Sequence, residues 1–322
     1  AADYERAFLL EIYRQMFLIR TFEDRVKLLF LEGSMPGTIH QCQGQEAAAV
    51  GVCSALNDDD FITSTHRPHG HALAKGLSPL EVLIELFGGG TGCCKGKGGS
   101  MHLFDRDINF LGGYAIVAGM CPIAVGVAKA VQHRGEDRVV LCFFGDGATN
   151  QGVYHEALNM SALYNLPLIW VCENNHYAIG TSVQRASGEE DLAKKARAYD
   201  MPVSRVDGMD FFKMQSVTQR AINRARAGKG PSYIVANCYR YRGHSMSDPG
   251  TVYRSKEEID FWKKRDPLPR LKALIQEDFE AGEEEFKEID EKVTQLLREA
   301  VRFAEQGEEL PREKLYEDLY AD

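Results

Sequence analysis

Hydrophobic positions along the chain follow two rhythms. Residues 4–32 repeat apolar side chains every three to four positions, which predicts one amphipathic helix stopped by Gly33 and Pro36. Residues 45–56 are rich in Ala and Val and read as a second helix, closed by the polar run Asn57-Asp58-Asp59-Asp60. Ser78-Pro79-Leu80-Glu81 opens another, with Ser as cap, Pro in the first turn and Glu able to reach back. Residues 121–133 form a helix of small side chains. The second rhythm is continuous apolarity over five to seven residues. It predicts strands at 138–144, 167–172, 203–207 and 232–239, with helices between them at 153–165, 191–198 and 211–227. Strands that are apolar on both faces and alternate with helices imply a parallel sheet covered on both sides, an α/β fold with helical extensions at each end. Residues 88–99 hold seven glycines and read as a loop. Residues 240–254 form a polar loop, and from Ser255 onward the pattern is charged amphipathic helix. The expected division is an α/β domain over 1–270 and a helical extension over 271–322.

The 322 residues are 44% hydrophobic, enough for one large or two modest cores. A net charge of −9 makes nucleic acid an unexpected partner. No membrane partner is expected either, since the longest apolar stretches, such as 166–172, are far too short to span a bilayer. Ala1-Ala2-Asp3-Tyr4 has no signal-peptide pattern. The eight cysteines include no CxxC pair, and several lie in apolar segments, so buried free thiols in a reducing compartment are expected. The adjacent Cys93 and Cys94 are not read as a metal site.

Chemistry concentrates at two strand ends. The strand ending at Phe144 runs into Gly145-Asp146-Gly147-Ala148, and the next one ends in Glu173-Asn174-Asn175-His176-Tyr177. In open parallel sheets ligands bind at such carboxyl ends. Asp146 is a hard oxygen ligand suited to Mg²⁺, and Asn175 adds a neutral oxygen. The glycines allow backbone N–H groups to approach a phosphate, and the following helix is expected to add its positive end. Mg²⁺ with a diphosphate is the chemistry this set implies. Asn175 follows Asp146 by 29 residues; GDG followed at that spacing by an NN pair resembles the thiamin-diphosphate motif. No GxGxxG follows a strand, and GKGGS at 96–100 lacks the strand-then-helix setting of a P-loop.

The resemblance extends over roughly residues 4–270. Gly44-Gln45-Glu46-Ala47, the stretches 95–102 and 145–152, Cys172-Glu173-Asn174-Asn175 and the stretch 239–250 are similar to the alpha subunit of the decarboxylating component of 2-oxo-acid dehydrogenase complexes. The last stretch, with GHSMSDPG, looks most like the pyruvate enzymes. The resemblance implies a thiamin-diphosphate-binding fold. It implies that Asp146, Asn175 and the carbonyl of Tyr177 hold Mg²⁺, and that Gly145, Gly147 and Ala148 lie at the diphosphate. Arg67 and His244 would reach that group with side chains. Ala115 and Val117 would line the thiazolium and pyrimidine region, and His40 would face the substrate. His40 and His244 are the expected catalytic groups, since a histidine donates or accepts near neutral pH. Two positions depart from the pattern. His66 stands where pyruvate enzymes carry Tyr, as in acetoin dehydrogenases, and is counted with the cofactor-binding residues. Residues 113–118, GYAIVA, replace GNGIVG, adding Cβ atoms at Ala115 and Ala118 where the cofactor approaches.

The implied reaction is oxidative decarboxylation of a small 2-oxo acid, pyruvate first. The acyl group passes to a lipoyl-bearing dihydrolipoyl acyltransferase. Acetoin and branched-chain 2-oxo-acid enzymes remain alternatives, as does a non-catalytic scaffolding paralogue. The chain has room for one cofactor-type domain, and the resemblance implies that a separate beta subunit, in an α₂β₂ assembly, supplies the rest of the site. The compartment expected is bacterial cytoplasm, or the mitochondrial matrix if a presequence has been removed. Ser245 occupies the place of a phosphorylated loop serine in mitochondrial relatives.

Overall fold

The computed structural model describes residues 4–308 and 310–318. The chain opens with α1 (Arg6–Leu31) and α2 (Glu46–Cys53), followed by β1 (Phe61–Thr65), α3 (His69–Lys75) and α4 (Pro79–Leu86). After the glycine-rich loop come β2 (Phe110–Tyr114), α5 (Met120–Arg134), β3 (Val140–Gly145), α6 (Gly152–Leu163) and β4 (Leu168–Asn174). A small hairpin, β5 (Tyr177–Ala178) and β6 (Thr181–Ser182), precedes α7 (Val183–Ala186), α8 (Leu192–Arg197), β7 (Val203–Asp207), α9 (Phe211–Arg226) and β8 (Ser232–Asn237). Three helices close the chain: α10 (Lys256–Lys263), α11 (Pro267–Phe279) and α12 (Glu283–Ala304).

Six strands form one sheet in the order β2-β1-β3-β4-β8-β7, and every pairing is parallel. The period of two along each strand explains the continuous apolar runs. In β3, Leu141 and Phe143 enter one core with α1, α2 and α9, while Val140, Cys142 and Phe144 enter a second with α5, α6 and α8. Phe286, Val293 and Leu297 of α12 share the first core with Leu9, Tyr13 and Met16 of α1. Tyr13 and Phe286 meet edge to face, with ring centroids 4.8 Å apart.

β3, β4, β7 and β8 coincide with the expected strands to within a residue or two. β1 and β2 are additions. β1 reads Phe-Ile-Thr-Ser-Thr, and β2 carries Gly112 and Gly113, so neither shows a fully apolar run. Gly113 is required by packing, because a Cβ there would stand 2.7 Å from the Met101 carbonyl. Helix caps divide similarly. Asp191, Asp210, Ser255 and Asp266 accept capping bonds from backbone N–H groups. Ser78 sits at the N-cap of α4 but makes no side-chain cap bond, contrary to the expected capping arrangement. The eight cysteines are free, six of them buried. Among the described residues no helix is long and apolar enough to cross a membrane.

Candidate active site

Chain order along the sheet reverses between β1 and β3, which opens a crevice at their carboxyl ends. A cavity of about 230 Å³ lies there. Its walls are the turns that leave five parallel strands. After β1 come His66 and Arg67, and after β2 come Val117 and Ala118. Gly145, Asp146, Gly147 and Ala148 follow β3, Asn175 and Tyr177 follow β4, and Arg240 and His244 follow β8.

Asp146 is 4% exposed, and among the described residues no side chain hydrogen-bonds to its carboxyl group; its own and Asn175's backbone N–H are its donors. Burial pushes its pKa up to about 6. Asn175 is oriented by Gln45, whose Oε1 accepts from Asn175 Nδ2 at 3.3 Å, so Asn175 Oδ1 faces the opposite way. That oxygen lies 3.4 Å from Nη1 of Arg240, which also donates to the Tyr177 carbonyl at 3.1 Å. Each of these oxygens has a second lone pair.

Arg67 and Arg240 are the unusual groups. They are 4% and 2% exposed, and neither makes a salt bridge among the described residues. Arg67 donates to the carbonyls of Gln41 and His244, the second at 2.9 Å. Arg240 donates to Tyr177, to Ile179 at 3.1 Å and to the Tyr253 hydroxyl at 3.0 Å. Burial, and then its repulsion from Arg240, pulls the Arg67 pKa down. Two buried guanidinium groups with only neutral acceptors form a site that an anion stabilises.

The histidines form a cluster. The ring centroid of His40 lies 4.7 Å from that of His66 and 4.8 Å from that of His244. Burial first, and the charge of Arg67 second, depress their pKa values to about 3 (His40), 2 (His66) and 4 (His244), so all three rings are neutral at neutral pH.

Ten of the twelve residues expected from the sequence line the cavity: His66, Arg67, Val117, Gly145, Asp146, Gly147, Ala148, Asn175, Tyr177 and His244. His40 stands one layer back, behind His66 and His244, and Ala115 lies outside the lining. Ala118, not Ala115, brings its Cβ to the cavity, at φ 65°, a left-handed conformation that costs an alanine roughly 1–2 kcal/mol. The helix expected at 153–165, after the GDG turn, is α6. A 3₁₀ turn, Asp146–Asn150, comes first, and α6 begins at Gly152. Gly147 answers a packing demand, since a Cβ there would stand 2.6 Å from Cβ of Ala178. Gly145 is the open one, with nothing within 4 Å of a built Cβ.

Arg240, Gln45 and Glu173 were missed by sequence reasoning. Arg240 could have been found, because it stands four residues before His244 in the same resemblance stretch. Glu173 reaches the cavity and is 3.2 Å from His71 Nε2, whose Nδ1 is 2.7 Å from Ser64 Oγ. His69 is likewise structural, held between Glu23 and Ser100.

Residues 14–313 match the sequence profile of the family described as "Dehydrogenase E1 component". Among curated relatives, the chloroplastic pyruvate dehydrogenase E1 component subunit alpha-3 of Arabidopsis thaliana is 43% identical, over 97% of this chain and 74% of its own length. The pyruvate dehydrogenase E1 component subunit alpha of Rhizobium meliloti is 41% identical, over 99% and 91%. The alpha subunit of the acetoin:2,6-dichlorophenolindophenol oxidoreductase of Bacillus subtilis is 41% identical, over 96% and 92%.

Proposed function

The chain belongs to the dehydrogenase E1 component family, and from that premise we propose that it is the alpha subunit of a pyruvate dehydrogenase using thiamin diphosphate and Mg²⁺. The observation that carries the reading is the pair of buried, uncompensated arginines, Arg67 and Arg240, lining one cavity with Asp146 and Asn175. A diphosphate supplies the missing negative charge, and Mg²⁺ lets Asp146 ionise despite its burial. The open space at Gly145 gives an anion access to the backbone.

In this reading Asp146, Asn175 Oδ1 and the Tyr177 carbonyl hold Mg²⁺, with Gln45 fixing the Asn175 amide. Arg240 shares two of those oxygens and neutralises diphosphate charge beside the metal. Arg67 and His244 meet the diphosphate from the other side, and Gly147 and Ala148 meet it through their backbone. Val117 presents an apolar surface to the cofactor rings. When bound, thiamin diphosphate supplies the nucleophilic carbon and the electron sink for loss of CO₂ from a 2-oxo acid. His244, with His40 behind it, is neutral and able to donate or accept a proton at the substrate's oxygens.

The cavity is half of a site. Val117 and Ile179, which line it, are 45% and 65% exposed, and Ile116, next to Val117 in the chain, is 75% exposed. An apolar rim of this kind fits a covering partner, here a beta subunit. The acyl product then passes to a lipoyl-bearing acyltransferase. The test is reconstitution. The chain alone should turn over no 2-oxo acid, and mixing with a cognate beta subunit should give pyruvate-dependent acetylation of a lipoyl domain. Turnover by the chain alone refutes the shared site. Faster reaction with acetoin than with pyruvate would overturn the substrate assignment.

A further inference from the structure

His40, His66 and His244 come from three separate segments: the connection between α1 and α2, the turn after β1 and the loop after β8. One ring nitrogen of each lies within 4.8 Å of those of the other two. His40 is 6% exposed, and its Nδ1 is buried with no hydrogen-bond partner among the described residues. A buried polar atom without a partner is costly, and here it belongs to a ring packed against two others. The cluster is also pre-set. Arg67 ties the Gln41 carbonyl, beside His40, to the His244 carbonyl, and Met246 donates its N–H to Ile39 at 3.0 Å.

We propose that these three imidazoles form a site for Zn²⁺ or a similar imidazole-seeking divalent ion, separate from the hard-oxygen set at Asp146, Asn175 and Tyr177. Three neutral nitrogens with one open position match the donor number and type of His₃ zinc sites. Mg²⁺ prefers oxygen and has no reason to enter. The positive charges of Arg67 and Arg240 oppose a bare dication, so the open position takes an anionic ligand. An ion held there ties up His40 and His244, the two groups assigned to the substrate, and inhibits the enzyme. The metal site stands on the histidine arrangement alone; only the inhibition rests on the proposed function.

The experiment uses the full chain in a Cys93→Ser/Cys94→Ser background, which removes the half-buried thiol pair as a competing soft ligand. Co²⁺ is the spectroscopic probe. Titration should give the visible bands of a low-coordinate nitrogen site, bleached by one equivalent of Zn²⁺. His66→Phe keeps the ring packing but removes the nitrogens, and should weaken Co²⁺ binding by at least about tenfold, since losing a group that merely orients a metal ligand already costs that much. Asp146→Asn should leave the spectrum unchanged. In the assembled enzyme, Zn²⁺ should raise the KM for pyruvate, and His66→Phe should be less sensitive. The proposal is overturned by His66→Phe binding Co²⁺ as tightly as its parent, by loss of the bands in Asp146→Asn, or by a spectrum of oxygen coordination alone. The spectral titration needs no catalysis, so it stays decisive if the proposed function fails.

Discussion

In the loop over residues 88–99, the backbone N–H groups of Cys94, Gly96, Gly98 and Gly99 all point at one carboxylate of the chain, Glu85, at 2.7 to 3.0 Å. In the turn after β3, an equally buried carboxylate, Asp146, has no such ring of donors. Both segments are glycine-rich and both surround a buried acid. In the first, the glycines serve folding: Gly96 has φ 74°, and a Cβ on Gly92 would stand 2.6 Å from Glu85 Oε2. In the second, charge is left over: among the described residues Asp146 accepts from no side chain, and Arg67 and Arg240 donate only to neutral acceptors. A buried polar group satisfied within the chain is structural; one that awaits a counter-charge marks where a ligand belongs.

The comparison breaks most sharply at Asp146. Asp146→Ala should abolish Mg²⁺-dependent cofactor binding in the assembled complex, a fall on the order of a thousandfold or about 4 kcal/mol, while the chain melts no lower than its parent. Retention of parental affinity by calorimetry would remove the metal assignment. The mirror experiment is Glu85→Ala, which orphans four backbone donors. It should cost about 3–4 kcal/mol of stability in denaturant unfolding; a variant as stable as the parent would show that the loop does not depend on its carboxylate.

The pH dependence of the cofactor-free chain sharpens the contrast. The folded pKa of Asp146, about 6, lies above its ordinary 3.8. The folded state therefore holds the proton more tightly than the unfolded state, and stability falls as pH rises from about 4 to about 6. The amount is about 3 kcal/mol at 1.36 kcal/mol per unit. Asp146→Asn should remove that decline. The neutral histidines act oppositely: His40, His66 and His244 must charge on unfolding, so stability also falls as pH drops below about 6.5. Unfolding of Asp146→Asn across this range separates the two, and an unchanged profile would show that Asp146 is not the group responsible.

The smallest effect is expected in the loop after β8. Asp248 holds it closed, accepting from the His244 N–H at 2.5 Å and from the Tyr253 hydroxyl at 2.6 Å. The Ser245 hydroxyl pairs with that of Ser247, at 3.1 Å. Ser245→Glu adds negative charge beside the site and should lower pyruvate turnover more than Ser245→Ala does, by less than about tenfold. It should also speed proteolytic cutting of the loop. Equal rates and equal protection in the two variants would show that the loop is not charge-sensitive.

The parallel sheet, the strand ends that carry Asp146 and Asn175 and most of the cavity wall were legible in the sequence. They depend on short-range pattern: a two-face apolar strand, a turn and a fixed spacing between motifs. What the sequence could not carry is pairing across the chain. Nothing local marks Phe110–Tyr114 as an edge strand, because its Gly113 is needed by neighbours brought from Met101, Pro68 and Thr65. Nothing local says that Arg240 lacks a carboxylate, that Gln45 turns Asn175, or that His40 packs behind His66 and His244. Each of those facts is a distance between segments far apart in sequence, and only the packed sheet with its helices sets it.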